Sequence, residues 1–496
     1  MSTNKYILAI DQGTSSTKSI IFDEKGKAVA KGVEPLNTRY LEHGFVEQDP
    51  EEIYQNVLSS LKKCLQDFTA KGNVVESIQA AGISNQRETF VVWDQNGEPL
   101  HPAVVWQCKR SVKVCETLQQ KGLADTVQQK TGLIIDPYFS ATKLIWLFQN
   151  EPQVKKAIKN GEAYFGTIDT WLLHKFTNGA SYATDHTNAS RTLFFNIHSL
   201  TWDKELIAAF GLTGIHLPEV KPSAASFGTS TFNGLFQQPI PITAMIGDSH
   251  AAAFGEGCFD SGTAKATMGT GCSILMNIGD KPLASQNGMV TTINWSIEGN
   301  INYALEGVIV SCGATIEWLK NELQLFSNSS ETEVMAGAVD DNSGVYLIPA
   351  FSGLGSPYWQ MERRASITGM SFGTTKQHIV RAALESVAYQ IKDVIAAMQK
   401  DTGINLKELM VHGGLTANQF IIQFLADVLN KPVHISTMPD ISALGAAYMA
   451  GLQIGVYDNM DALRTLANTK KQYAPHDTFL AERSYKGWLN AIMNNV

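Results

Sequence analysis

The chain predicts an α/β fold of two domains facing one cleft, and three observations lead there. Apolar runs with strand character end repeatedly in Asp or Gly. Stretches of helical periodicity lie between them, and the pattern that opens the first half returns, weakly, in the second. The 496 residues have the length of about three average domains or two large ones. Hydrophobic residues make up 44% and charged residues 17%, which supplies packed cores and excludes long disordered stretches.

In chain order, the first strand is Tyr6–Ile10, running into Asp11. Ser19–Phe22 into Asp23 is the second, and Ala244–Ile246 runs into Gly247-Asp248. Later strands are Ile274–Asn277, Tyr303–Leu305, Val345–Pro349, and Leu409–Val411 into His412-Gly413-Gly414. The clearest helix is Gln377 to Lys400, where Val380, Leu384, Val387, Ile391, Val394 and Met398 recur at three- and four-residue spacing. A second helix is expected from Asn418 to Asn430. The longest uncharged stretch, Ile441 to Tyr457, reads as a buried helix and is too short for a membrane span. The long-range rhyme pairs Asp11-Gln12-Gly13-Thr14 with Met268-Gly269-Thr270-Gly271, just after Gly255–Gly262. The domain boundary is therefore expected near residue 256, giving domains 1–256 and 257–496.

Against 39 Lys and Arg stand 47 Asp and Glu, a net charge of −8 with no basic stripe, so a nucleic-acid footprint is unsupported. Six scattered cysteines (Cys64, Cys108, Cys115, Cys258, Cys272, Cys312) form no CxxC pair and read as reduced cytosolic thiols. Tyr6–Ile10 falls short of a signal peptide's apolar core. A soluble cytoplasmic protein is expected, with no insertion into a membrane.

Asp11 through Lys18 packs a carboxylate, a glycine, four hydroxyls and a cation at a strand end. The glycine permits a tight turn whose backbone N–H groups could face a phosphate, and Asp11 could hold Mg²⁺ through water. An ordinary polar hairpin turn has the same composition. Gly269-Thr270-Gly271 and His412-Gly413-Gly414 repeat the chemistry, and three such turns after strands favour a nucleoside triphosphate. No GxxxxGK[ST] is present, and no GxGxxG leads from a strand into a helix, which disfavours P-loop and dinucleotide folds. Asp248, at the end of its strand, is placed either to take a proton from a substrate hydroxyl or to cap a helix. Asn85-Gln86-Arg87-Glu88-Thr89 reads equally as a grip for several hydroxyls or as a solvated loop with an internal ion pair.

These segments together resemble the FGGY carbohydrate kinases along essentially the whole chain, most closely the members that phosphorylate glycerol. Tyr6 to Thr14 is similar to the family's opening strand and first phosphate loop. Asn85–Thr89, Val105-Trp106-Gln107-Cys108 and Asp136-Pro137-Tyr138-Phe139-Ser140 are similar to its substrate segments. Tyr138–Asn150 and Ala365–Glu385 fit its two signatures, and Thr187–Thr192 and Ser442–Ala447 extend the match. The resemblance implies an actin/Hsp70/hexokinase-type fold, two ribonuclease-H-like domains closing on ATP and Mg²⁺. It implies phosphorylation of a terminal hydroxyl of a small polyol, glycerol to glycerol 3-phosphate, and a homo-oligomer, dimer or tetramer. Asp248 would be the general base, with Arg87, Glu88, Trp106, Tyr138, Ser249 and Ser273 around the polyol. ATP would meet Thr14, Ser15, Ser16, Lys18, Thr270, Gly271, Gly313, Glu317, Gly414 and Asn418, and Asp11 would order the magnesium shell. A non-catalytic nucleotide-binding regulator on the same fold is the rival from another class, and the presence of Asp248 speaks against it.

Several positions depart from the family pattern. Ser249-His250 stand where two glutamines are usual after the catalytic Asp, and Ser273 stands where a phenylalanine packs on the glycerol carbons. Two small polar residues on one pocket suggest a polyol or ketose longer than glycerol, such as erythritol, threitol, xylitol or arabitol. Lys18 replaces an arginine, Glu317 a glutamine and His412 an aspartate. Gly228–Ile242 has no histidine for phosphorylation, and Gln237-Gln238 stand where some relatives carry the loop for sugar-bisphosphate inhibition.

Overall fold

The computed structural model describes residues 5–297, 299–436, 438–466 and 470–494. Thirteen strands form one continuous sheet. They are β1 Tyr6–Gln12, β2 Ser16–Asp23, β3 Ala28–Pro35, β4 Ile78–Asn85, β5 Ala224–Ser230, β6 Ile240–Gly247, β7 Thr263–Met268, β8 Cys272–Gly279, β9 Val290–Ile297, β10 Asn300–Ile309, β11 Glu408–His412, β12 Val433–Ser436 and β13 Lys470–Tyr473. Across the sheet the order is β13-β12-β11-β7-β8-β10-β9-β5-β6-β4-β1-β2-β3.

Each half contains the same five-strand unit. In β3-β2-β1-β4-β6 the first three strands are antiparallel and the next two join in parallel. The order β10-β8-β7-β11-β12 repeats that pattern. The weak rhyme in the sequence is therefore structural: the turns after β1 and after β7 are the same turn of two related units. Among the described residues a single backbone pair, Ala224 with Ile297, joins the halves of the sheet.

The physical reason for the layering is legible in β1. Leu8 and Ile10 face one core with Ile53, Val57, Leu61 and Phe68 of α1 (Pro50–Ala70), while Ile7 and Ala9 face the other. Alternation with apolar residues on both faces is what a doubly covered central strand requires. The second face is covered by α2 (Asp248–Gly255) and by a helix from far along the chain. The long helix α3 (Lys376–Thr402) and α4 (Gln419–Leu429) pack together in the C-terminal core, and α5 (Ile441–Gln453) returns to lie across β4, β1 and β6. A smaller sheet, containing Phe90–Trp93, Ala103–Val104 and Ala163–Thr167, flanks the first half.

The expected helices are present with small shifts. α3 runs two residues past Lys400 and stops at Gly403, whose φ of 69° breaks the helix. The helix expected to reach Tyr457 ends at Gln453, because the chain turns at Gly455 with φ 71°. The strands at 19–22 and 303–305 extend outward to β2 and β10, since neighbouring strands supply partners for polar residues that periodicity alone leaves out. All six cysteines are buried, and none is in a disulfide. Among the described residues no helix is long and apolar enough to cross a membrane.

α2 and α5 cross where both are built from small residues. A Cβ on Gly445 would lie 1.8 Å from the carbonyl oxygen of Ala251, and one on Gly255 would lie 2.6 Å from that of Ile441. The backbones touch directly, so Gly445→Ala must push them apart. We expect a loss of about 3 kcal/mol, read as a lower thermal midpoint and an earlier urea transition than wild type.

Candidate active site

Parallel pairing brings three strand ends to one place. Asp11 lies beside Ser84, Gln12 beside Asn85, and Gly247 also beside Asn85. The residues just past these carboxyl ends, Asn85–Thr89 and Asp248, therefore meet at one edge of the sheet, where open α/β sheets bind ligands.

Asn85–Thr89 is wholly buried, which excludes the solvated loop with an internal ion pair. Its charges are compensated from elsewhere. The Arg87 guanidinium donates to Glu306 on β10 from Nη1 (3.2 Å) and Nη2 (2.7 Å), and its Nε lies 3.5 Å from the Asp248 carboxylate. Arg191 places Nη1 2.6 Å from Glu306 and donates from Nε to Glu88 at 2.5 Å. Its guanidinium also lies over the rings of Tyr138 and Phe139. Burial opposes the charge on Glu306, but Arg191 and Arg87 overcome it and hold the carboxyl well below the usual range. Glu88 goes the other way: burial raises it despite Arg191 and Arg87. Its φ of 60° is left-handed, an uncommon conformation for a non-glycine residue and one that turns the loop into the site.

Asp248 is the first residue of α2, and Gly247 occupies the cap position, so the carboxylate is not the N-cap. One oxygen accepts from the Ser249 amide at 2.6 Å, and 38% of the side chain faces the cleft. Burial by the surrounding protein raises its pKa, opposed first by Arg87. The apolar wall is Trp106 against Tyr138, with ring centroids 5.5 Å apart. Trp106 donates from Nε1 to the Thr14 hydroxyl at 3.0 Å, so Thr14 belongs to this wall as well as to the first turn. Fully buried Lys143 secures the wall by donating to the Tyr138 carbonyl at 2.7 Å, and burial lowers its pKa to about 8.

Asp11 accepts from Ser84 at 3.0 Å, and Lys18 lies 4.0 Å from it and 3.1 Å from Asp440 at the start of α5. Burial raises the Asp11 pKa to about 6; Lys18 opposes this, while Asp248 and Asp440 add to it. Ser15 is exposed in the β1–β2 turn, and Ser16 opens β2, where its carbonyl accepts from Gly13. Geometrically the segment is a hairpin turn, with the acidic residue at its base.

The C-terminal unit supplies the opposite side. Thr270 and Gly271 form the β7–β8 turn, and the amides of Cys312 and Ala314 donate to the Thr270 carbonyl while Gly313 donates to Gly269. The Gly413-Gly414 turn lies against Met268. Glu317 bonds Lys320 and Ser329, while Asn418 accepts from the Ile421 amide and donates to Thr332, all residues outside the glycine turns. The Ser273 hydroxyl donates to Glu306 at 3.1 Å and lies 3.5 Å from that of Ser249.

Two important charges, Glu306 and Lys265, lie outside every motif, and a reading by motif gives Arg191, inside the matched segment Thr187–Thr192, no role. A signal existed for the first two. Glu306 interrupts Ala304-Leu305 and Gly307-Val308-Ile309, and Lys265 interrupts Thr263-Ala264 and Ala266-Thr267. A lone charge inside a strand buried on both faces demands a partner across the sheet.

Known proteins are similar to this chain over nearly its whole length. Residues 6–255 match the N-terminal domain of the FGGY family of carbohydrate kinases and residues 264–454 its C-terminal domain. A glycerol kinase of Carboxydothermus hydrogenoformans is 46% identical over 493 residues, covering 99% of this chain and 98% of that one. One of Bacillus anthracis is 44% identical over 490 residues, covering 98% of each. The crystal structure of Plasmodium falciparum glycerol kinase with ADP superimposes with a TM-score of 0.94 at 35% identity, over 99% of this chain and 98% of that one. A gluconate kinase of Lactobacillus acidophilus, at 21% identity and a TM-score of 0.89, shares the fold.

Removing the charge on Glu306 would leave two buried guanidinium groups poorly compensated. Glu306→Gln is expected to cost about 3–5 kcal/mol of stability, measurable by chemical denaturation.

Proposed function

The chain belongs to the FGGY family of carbohydrate kinases, and on that premise we propose that it transfers the γ-phosphoryl group of ATP to a terminal hydroxyl of glycerol, giving glycerol 3-phosphate. The observation that carries this reading is the position of Asp248. Its cleft-facing carboxylate lies 3.5 Å from Arg87 in a buried grip for hydroxyls (Arg87, Glu88), and the next residue, Ser249, reaches Ser273 and Lys265 on the two strands that flank the Thr270-Gly271 turn of the opposite unit.

Arg87 and Glu88 hold two hydroxyls of the polyol, one as donor and the other as acceptor, and Trp106 with Tyr138 covers the carbon–hydrogen faces. The third hydroxyl lies against Asp248, which takes its proton as the oxygen attacks the γ-phosphorus in line. A pKa raised by burial makes Asp248 a better proton acceptor than an ordinary surface carboxylate, and Arg87 opposes that rise. Backbone N–H groups at the Thr270-Gly271 and Gly414 turns, with Thr14, Ser15, Ser16 and Lys18, receive phosphate oxygens. Gly313, Glu317 and Asn418 lie toward the nucleoside.

The donor set suits magnesium. Burial, with Asp248 and Asp440 nearby, pushes the Asp11 pKa up to about 6 even with Lys18 beside it, and a cation there would favour its ionised form. Magnesium takes one or two carboxylates and keeps several waters, so Asp11 would hold it through water. Bound there with ATP, it would neutralise phosphate charge. Closure of the site excludes water that would otherwise take the phosphoryl group.

Two measurements test the reading. Asp248→Asn is expected to lower kcat with glycerol by about 10²–10⁴-fold while ATP still binds by calorimetry; unchanged turnover would remove Asp248 from the proton-accepting role. The second concerns pH. Asp11 in the folded protein titrates near 6, above its usual 3.8. Apparent Mg²⁺ affinity should therefore fall as pH drops through about 6, and Asp11→Asn should abolish that dependence. In metal-free protein the sign reverses: protonation relieves the burial cost, so the contribution of Asp11 to stability rises as pH falls from about 6 toward 4.

A further inference from the structure

Beside Asp248 lies a pair of hydroxyls to which the reading above gives no hydroxyl of glycerol. Ser249 follows Asp248 on α2, and Ser273 lies opposite Val308 in the β8–β10 ladder. Both are half-buried in the cleft, 3.5 Å apart, at the long limit for a hydrogen bond.

What each can offer a ligand follows from its partner. Lys265, fully buried on β7, donates from Nζ to the Ser249 hydroxyl at 2.7 Å and to the Thr267 hydroxyl at 2.8 Å. An ammonium is a donor only, so the Ser249 oxygen accepts from it and keeps its own proton to donate. Ser273 spends its proton on the ionised Glu306 carboxylate at 3.1 Å, which leaves its oxygen free to accept. Side by side stand one donor and one acceptor, the complement of a ligand hydroxyl.

The lysine side is anchored as well. Thr267 is bonded to Nε2 of His412 at 2.9 Å, and Nδ1 of His412 lies 2.9 Å from the buried Glu256 carboxylate. A row of polar groups running from Glu256 to Ser249 fixes the rotamer of Ser249, so the donor is oriented before a ligand arrives.

We propose that Ser249 and Ser273 form a hydroxyl subsite that takes the fourth carbinol of a tetritol. This rests on the kinase reading above, in which Asp248, Arg87 and Glu88 already engage the three hydroxyls of glycerol and leave none for the serine pair. Lys265 acts as a positioning residue through Ser249.

The test is kcat/KM for glycerol, erythritol and threitol with ATP and Mg²⁺, in wild type and in Ser273→Ala, Ser273→Phe and Ser249→Ala. Thermal midpoints identify the variants that remain folded. Wild type is expected to phosphorylate at least one tetritol. Each folded variant is expected to lower the tetritol-to-glycerol ratio by about tenfold or more, since a matched hydroxyl loses its partner. The proposal is overturned if wild type phosphorylates glycerol but neither tetritol, or if the ratio stays within about twofold in every folded variant. If wild type phosphorylates none of the three, the kinase reading fails first and the subsite falls with it. Turnover of a tetritol without glycerol supports the subsite and replaces glycerol as the substrate.

Discussion

Glu306 carries a full negative charge in the middle of the protein, and the floor of the cleft is arranged around it. The carboxylate belongs to the C-terminal unit, yet it binds two arginines from the N-terminal one, Arg87 and Arg191. Arg87 is thereby turned so that its third nitrogen faces Asp248, and Arg191 so that it reaches Glu88 and covers the Tyr138 and Phe139 rings. Burying such a cluster brings little net stability, because desolvation consumes most of the Coulombic gain. What it brings is position. The five charges, Glu306, Arg87, Arg191, Glu88 and Asp248, hold one another in the arrangement proposed to fit a polyol.

The contrast between the two sides of the cleft follows from the same logic. The polyol side consists of buried side chains held by one another, with Lys143 behind the aromatic wall and Arg191 behind Glu88. On the nucleotide side, the contacts proposed at the turns rest on backbone at glycines, with Thr270 exposed in its turn. A substrate with few atoms needs a rigid grip to be discriminated from water and from its homologues, whereas triphosphate oxygens are strong acceptors that bind oriented amides readily.

Much of this was legible in the residues, and the limits are instructive. Runs such as Tyr6–Ile10 and the spacing from Val380 to Met398 locate strands and helices because burial imposes a period on the chain. The two-fold repeat could be glimpsed in Asp11–Thr14 and Met268–Gly271 because both turns solve the same geometric problem. Pairing between distant segments could not be read. Nothing near Arg87 in sequence announces Glu306, 219 residues away, and Arg87-Glu88 invites an adjacent ion pair that does not form. His412 looks like an isolated departure until the fold shows it bonded to Glu256. Local chemistry is written along the chain, while charge compensation is settled across it.

The return of α5 to the first unit has a consequence for how the protein is made. One face of β1, β4 and β6, with Ile7, Ala9, Ala80 and Ile246, is covered by Ile441, Leu444 and Ala447 of that helix. Ribosomes add about 5–20 residues per second, so the roughly 200 residues between Gly255 and Gln453 take about 10–40 s to follow. Through that interval the nascent N-terminal unit has its strands and α2 but lacks the share of its cover that α5 supplies, and part of an apolar face is open to other chains. Its safe passage depends on whatever shields that face on the ribosome, and truncation before residue 441 removes the α5 share of the cover permanently while leaving every strand of the first unit in place.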